Sequence, residues 1–216
     1  MKRICFFLLI IIFSSELFSQ NHQVRDYFGS TNKIKYGFFI GANGSSLYSS
    51  QLKGVIYKIG ASGGFSAVKN LSSNLYFRFG LYYMDKGYKT TKIKHPDYPD
   101  RVQRYFFITE YLEFPLLIQF FMPIQKYPTN WFSGFSPALN LTTRQKTKID
   151  KGSFSSSLSK KNRFWDINFV IGTNMMLSSH CNIDLRASIG LIPISKKSDF
   201  WGSKNISFVC LLGYFI

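Results

Sequence analysis

The chain has 216 residues, 18% of them aromatic, and carries 27 Lys and Arg against 11 Asp and Glu, a formal net charge of +16. That length fits one domain or one barrel of ordinary size, and three cysteines are too few for a disulfide-stapled scaffold. Such a cationic excess calls for an anionic neighbour, either nucleic acid or a membrane surface, and the placement of the charges decides between them.

Residues 1–19 read as an export signal. Lys2 and Arg3 precede ten apolar residues at 4–13, and Ser14, Ser15 and Ser19 follow. The run falls short of the about 20 residues a spanning helix needs. Cleavage is expected after Ser19, with a flexible segment over 20–32 and a barrel over 33–216. Cys5 precedes the apolar run, so it is not a lipoprotein acylation site.

From residue 33 onward, eight segments alternate with a period of two: 33–43, 55–68, 74–88, 104–122, 131–142, 163–177, 182–195 and 205–216. Period two is the mark of a strand whose faces meet different surroundings. In the fourth segment Leu112, Phe114, Leu116, Ile118 and Phe120 share one face, and Tyr111, Glu113, Pro115, Leu117 and Gln119 the other. Leu112 to Phe121 is ten residues, about one tilted crossing of a bilayer. The connections alternate too. Those at 69–73, 123–130 and 178–181 are short, while those at 44–54, 89–103, 143–162 and 196–204 are mostly longer. An up-and-down meander therefore has a short-turned end and a long-looped end, as outer-membrane barrels do. The predicted fold is an all-β, eight-stranded antiparallel up-and-down transmembrane barrel.

Residue size predicts which face is inside. The polar faces of the second, fifth and seventh segments are rich in Gly, Ser, Ala and Asn, whereas the opposite faces are Phe, Leu, Ile and Tyr. Eight strands enclose a lumen only wide enough for side chains, so the bulky face belongs to lipid. Strand parity then sends Lys58, Arg78, Glu113, Asp166, Asp184 and Arg186 into the lumen, three charges of each sign. Unpaired charges there are costly, so they are expected to pair as a structural network. Folding the hairpin about the middle of 89–103 brings Glu113 near Phe79 and predicts an Arg78–Glu113 ion pair. Folding the next about 123–130 puts Pro115 opposite Ala138, beside Pro137, and predicts a bulge. Proline cannot donate to the ladder, and a closed barrel has no edge to hold it.

The run Tyr111-Leu112-Glu113-Phe114-Pro115-Leu116-Leu117 closely resembles the central signature of the PorT-like outer-membrane β-barrel family. Gly80-Leu81-Tyr82-Tyr83-Met84-Asp85-Lys86-Gly87-Tyr88 is similar to that family's third strand, and Gly37, Gly41, Asp166 and Gly172 also fit. The resemblance covers essentially the whole mature chain. It implies an eight-stranded barrel of the OmpA/OmpX type in the outer membrane. For the namesake branch it also implies a link to protein secretion or gliding.

An enzymatic role is not expected. Lipid-modifying barrels use a His/Ser pair; here His22 lies in the N-terminal segment, His180 in a short turn, and His95 in a long loop with no serine nearby in sequence. No metal-ligand spacing or phosphate-cradling glycine pattern occurs, so no cofactor is expected. Cys181 and Cys210 are not expected to bond, since folding the last hairpin sets Cys210 opposite Ile189. The basic residues crowd the long loops: Lys92, Lys94 and Arg101 in the second, Arg144, Lys146, Lys148, Lys160 and Lys161 in the third. Outside the cell their partners would be outer-membrane lipid, lipopolysaccharide phosphates or other surface anions, not nucleic acid. The serine-rich piece 152–160 predicts a mobile third loop. Three functional readings stay open: a surface interaction protein with a plugged lumen, a narrow porin-like conduit, and a soluble periplasmic ligand-binding barrel.

Overall fold

A computed structural model describes residues 34–48, 55–72, 74–90, 93–94, 102–122, 128–149, 152–157, 163–178, 180–193 and 203–216. The expected signal at 1–19 and segment 20–32 lie outside these residues.

The strands are β1 (Ile34–Tyr48), β2 (Val55–Ser72), β3 (Leu75–Thr90), β4 (Ile93–Lys94), β5 (Val102–Glu113), β6 (Leu116–Phe121), β7 (Thr129–Ile149), β8 (Gly152–Ser157), β9 (Trp165–Met176), β10 (Cys181–Gly190) and β11 (Lys204–Phe215). Every pairing is antiparallel, and β1 pairs with both β2 and β11, which closes the sheet. β5 and β6 are the two halves of one stave, each lying between β3 and β7. Among the described residues, β4 pairs with β5 alone and β8 with β7 alone. The result is an eight-stave up-and-down barrel.

The pleat sorts the side chains. In β6, Leu116, Ile118 and Phe120 are exposed while Leu117 and Gln119 are buried. The exposed apolar row runs on around the wall through Phe38, Ile40, Ile59, Phe65, Phe79, Phe135, Ile171, Leu185, Phe208 and Leu212. So large an apolar belt suits hydrocarbon, not water. This overturns the soluble ligand-binding reading, which needed those rings inside. Exposed Tyr48, Tyr57, Tyr83 and Trp165 lie toward the long-loop end, Tyr36 and Tyr214 at the other, matching the aromatic girdles of membrane barrels.

Four local expectations are corrected. Glu113 pairs with Tyr82, and Phe79 with Leu116, so the β3–β5 register is shifted by three residues from a fold about the loop's middle. The Ile93↔Gln103 pairing moves the hairpin axis toward the second half of the loop. Pro115 does not bulge. Leu116↔Phe135 keeps the register of Glu113↔Ala138, so Phe114 faces Pro137 and Pro115 faces Ser136. An antiparallel bonded pair exchanges two hydrogen bonds. Here the Phe114 N–H donates to the Pro137 carbonyl at 2.8 Å, and Pro137 has no N–H to return. In the third long connection, 143–149 continues β7 and 152–157 forms β8, where a mobile loop was expected; 158–160 lies outside the described residues. β10 ends at Gly190, five residues before the predicted end.

Candidate functional site

The lumen is filled in two charged layers. Toward the short-turn end lie Arg78 on β3 and Asp184 and Arg186 on β10, all buried. Arg78 reaches across the lumen, since β3 and β10 are not neighbours in the sheet. Its Nη1 donates to Asp184 Oδ2, its Nη2 to the Tyr82 hydroxyl at 2.8 Å, and its Nε to Ser66 Oγ at 3.2 Å. Arg186 holds the same carboxylate through Nε at 2.5 Å and Nη2 at 3.3 Å. Asn174 Nδ2 donates to it at 3.4 Å. Aromatic faces carry the guanidinium groups: Phe39 lies 4.5 Å from Arg78 Cζ and Tyr82 lies 4.3 Å from Arg186 Cζ. Phe132 is 5.7 Å and 5.9 Å from the two, within cation–π range. Glycines make room for these rings. A Cβ on Gly172 would lie 2.6 Å from the Phe132 ring, and one on Gly64 2.9 Å from the Tyr82 ring.

Toward the long-loop end, Lys86 Nζ pairs with Glu113 Oε1 at 2.5 Å, and Ser136 Oγ donates to Glu113 Oε2 at 3.3 Å. Asp166 accepts from the Ile167 N–H at 2.8 Å and from Asn205 Nδ2 at 3.3 Å; that same amide donates to the Tyr111 hydroxyl at 3.1 Å. Lys58 pairs with Asp85 at 2.6 Å where the β2–β3 register slips between Tyr57 and Ser62. Above it, Tyr88 and Phe107 stack with centroids 4.3 Å apart.

All six parity-assigned lumen residues, Lys58, Arg78, Glu113, Asp166, Asp184 and Arg186, are thus buried. The Arg78–Glu113 pair is not formed; Arg78 binds Asp184 and Glu113 binds Lys86. Lys86 and Asp85 were missed. Lys86 carries a legible signal, since it continues the inward parity of Arg78 and Tyr82. Asp85 carries none, because an irregularity brings it to Lys58.

The third feature is on the outside. Between Glu110↔Thr142 and Tyr111↔Asn140, β7 holds one extra residue, the exposed Leu141. Asn140 Nδ2 donates to Thr143 Oγ1 at 3.1 Å, pinning this bulge from within. Beyond it Thr143 is buried and the Arg144 side chain is 57% exposed, 3.9 Å from Glu110 Oε1. Lys146 stands opposite Phe106 in register, and Phe106 opposite Lys89. Lys148 lies at the position opposite Arg104, and Lys94 pairs with Val102 in β4. Lys92, Arg101, Lys160 and Lys161 lie outside the described residues. At the other end the ring of His180 stacks on Tyr214. Cys181 and Cys210 are free and exposed, and Cys210 faces Leu185, not Ile189. Among the described residues no three His, Cys, Asp or Glu gather as a metal would require.

Solved structures with a similar course include Ail of Yersinia pestis bound to the heparin analogue sucrose octasulfate. It is 11% identical, aligned over 85% of this chain and 99% of that one, with a TM-score of 0.45. Neisserial surface protein A is 14% identical over 84% and 96%, with a TM-score of 0.41. OprG of Pseudomonas aeruginosa is 12% identical over 84% and 95%, with a TM-score of 0.40. No curated protein sequence matches. The family model described as the outer membrane protein beta-barrel domain matches residues 18–196. The closed antiparallel barrel agrees with that description, and the chain belongs to this outer-membrane β-barrel family.

Proposed function

We propose that this outer-membrane barrel is a structural and interaction protein of the cell surface, with a plugged lumen and no catalytic role. Its partners on this reading are lipopolysaccharide and other surface anions on the long-loop side. The carrying observation is the layer of Arg78, Asp184 and Arg186 packed against Phe39, Tyr82 and Phe132, with Arg78 spanning from one wall to a non-adjacent one. Side chains that cross so narrow a lumen leave little room for solute. Reconstitution in a planar bilayer is expected to give no steady current, and a stable single-channel conductance would overturn the plugged lumen.

A second reading, the narrow conduit, is favoured by one observation. Asn130 and Asn182 are buried, yet among the described residues neither amide oxygen nor nitrogen has a hydrogen-bond partner. Buried amides of this kind are ordinarily satisfied by water, and a hydrated path would supply it.

The Tyr111–Leu117 run and the strand-three motif support membership in the PorT-like family, whose namesake branch is linked to secretion or gliding; no residue of this chain separates that branch from the other members. Crosslinking in intact cells tests this part. Recovery of secretion components would assign the namesake role, and recovery of none would leave a surface barrel without it.

A further inference from the structure

We infer that the outward face of the β3–β5–β7 extension is a lateral site for the phosphate groups of outer-leaflet lipid, created by the bulge at Leu141. The inference rests on the surface-barrel reading above, with the long loops outside. Strict alternation from the buried Asn140 would turn Arg144 and Lys146 into the lumen. The one extra residue in β7 reverses that parity, so Thr143 is buried and Arg144 exposed. Adjacent strands then present Lys89, Phe106 and Lys146 in one register row. Glu110 lies on this face, 3.9 Å from Arg144.

Height selects lipid over a soluble anion. The apolar row from Phe120 to Leu112 rises roughly 20 Å along the axis for a tilted strand, close to the whole hydrocarbon belt. Glu110 marks its upper edge. Arg144, opposite Ile108, stands about 5 Å higher and Lys146 about 10 Å higher on the same geometry. Arg144 stands at headgroup depth, since the polar zone of a bilayer leaflet adds about 5–8 Å beyond the hydrocarbon, and Lys146 stands just above that zone, with a flexible stem long enough to reach down to it. The cations also face sideways, over the outer wall, where neighbouring lipid stands. Ile108 and Phe106 on the same face suit the boundary between acyl chain and headgroup.

The test compares lipopolysaccharide phosphate retained by the barrel purified from outer membranes with that of R144E/K146E. The reversal is expected to lower retention about tenfold or more, the order for two cations withdrawn from an anionic leaflet. K69E, at the short-turn end, is expected to change nothing, and heat-modifiable migration confirms that each variant is folded. Equal retention by the double variant overturns the proposal. So does a variant that keeps its lipid and loses only the binding of a soluble polysulfate, which would put the partner in solution. If protease added to intact cells cuts the short-turn end, the orientation fails instead, and the two failures are thereby distinguished.

Discussion

Asp184 is the residue on which the lower lumen depends, because one carboxylate serves two buried guanidinium groups. Aromatic faces and the Tyr82 hydroxyl help to solvate those cations, but they supply no full negative charge. Asp184→Asn keeps the shape and removes the charge. It is expected to cost about 3–5 kcal/mol, the usual penalty for stranding a buried partner, read as a lower urea midpoint for the barrel folded in vesicles. An unchanged midpoint would mean that water screens this layer. Gly87 makes a different demand. Its φ of +144° is open to glycine, and a Cβ there would meet the Phe107 carbonyl oxygen at 1.9 Å. Gly87→Ala is therefore expected to cost at least about 1 kcal/mol in the same assay, with loss of hydrogen-exchange protection along the β3–β5 ladder.

At the scale of the element, the β5–β6 stave shows how one strand serves two solvents. Leu116 sits near the middle of its outward row and Glu110 at the upper edge. Leu116→Arg is expected to lower stability by about 2–4 kcal/mol, whereas Glu110→Arg, at the interface, changes it by about 0–1 kcal/mol. Equal effects at the two positions would contradict the placement of the belt. This stave and its neighbour β7 also absorb one proline each, Pro115 and Pro137, without losing register. Pro137 withholds its donor from Phe114, while Pro115 shares the parity of Phe121, whose N–H donates to Asn74, and so withholds one from the β3 side; each of two ladders loses one bond. The register slips instead at Leu141, where the wall leaves the bilayer and the face that carries the cations is chosen.

For the whole molecule, closure between β1 and β11 removes both sheet edges, which lets a β structure cross hydrocarbon with its backbone bonds satisfied. The intact barrel is expected to migrate faster than its boiled form on a denaturing gel and to fractionate with outer membranes. Identical migration before and after boiling would argue against a closed, detergent-resistant barrel. The long-loop end carries the outward cations above the belt and the short-turn end the small hairpins, so the two rims offer different chemistry.

The sequence by itself determined the staves, the direction each face looks and the alternation of short and long connections. Period-two patterning is local, and burial of one face against lipid leaves no second solution. Lys58, Arg78, Glu113, Asp166, Asp184 and Arg186 could be assigned to the interior for the same reason, and so could Lys86 have been. Only the tertiary structure decided who pairs with whom. Arg78 meets Asp184 across the lumen because a narrow barrel brings opposite walls within side-chain reach, a contact that no folding of adjacent hairpins reveals. Glu113 meets Lys86 because the β3–β5 hairpin turns off-centre in its loop. Arg144 and Lys146 face outward because one extra residue in β7 inverts a parity that the sequence alone would carry unbroken.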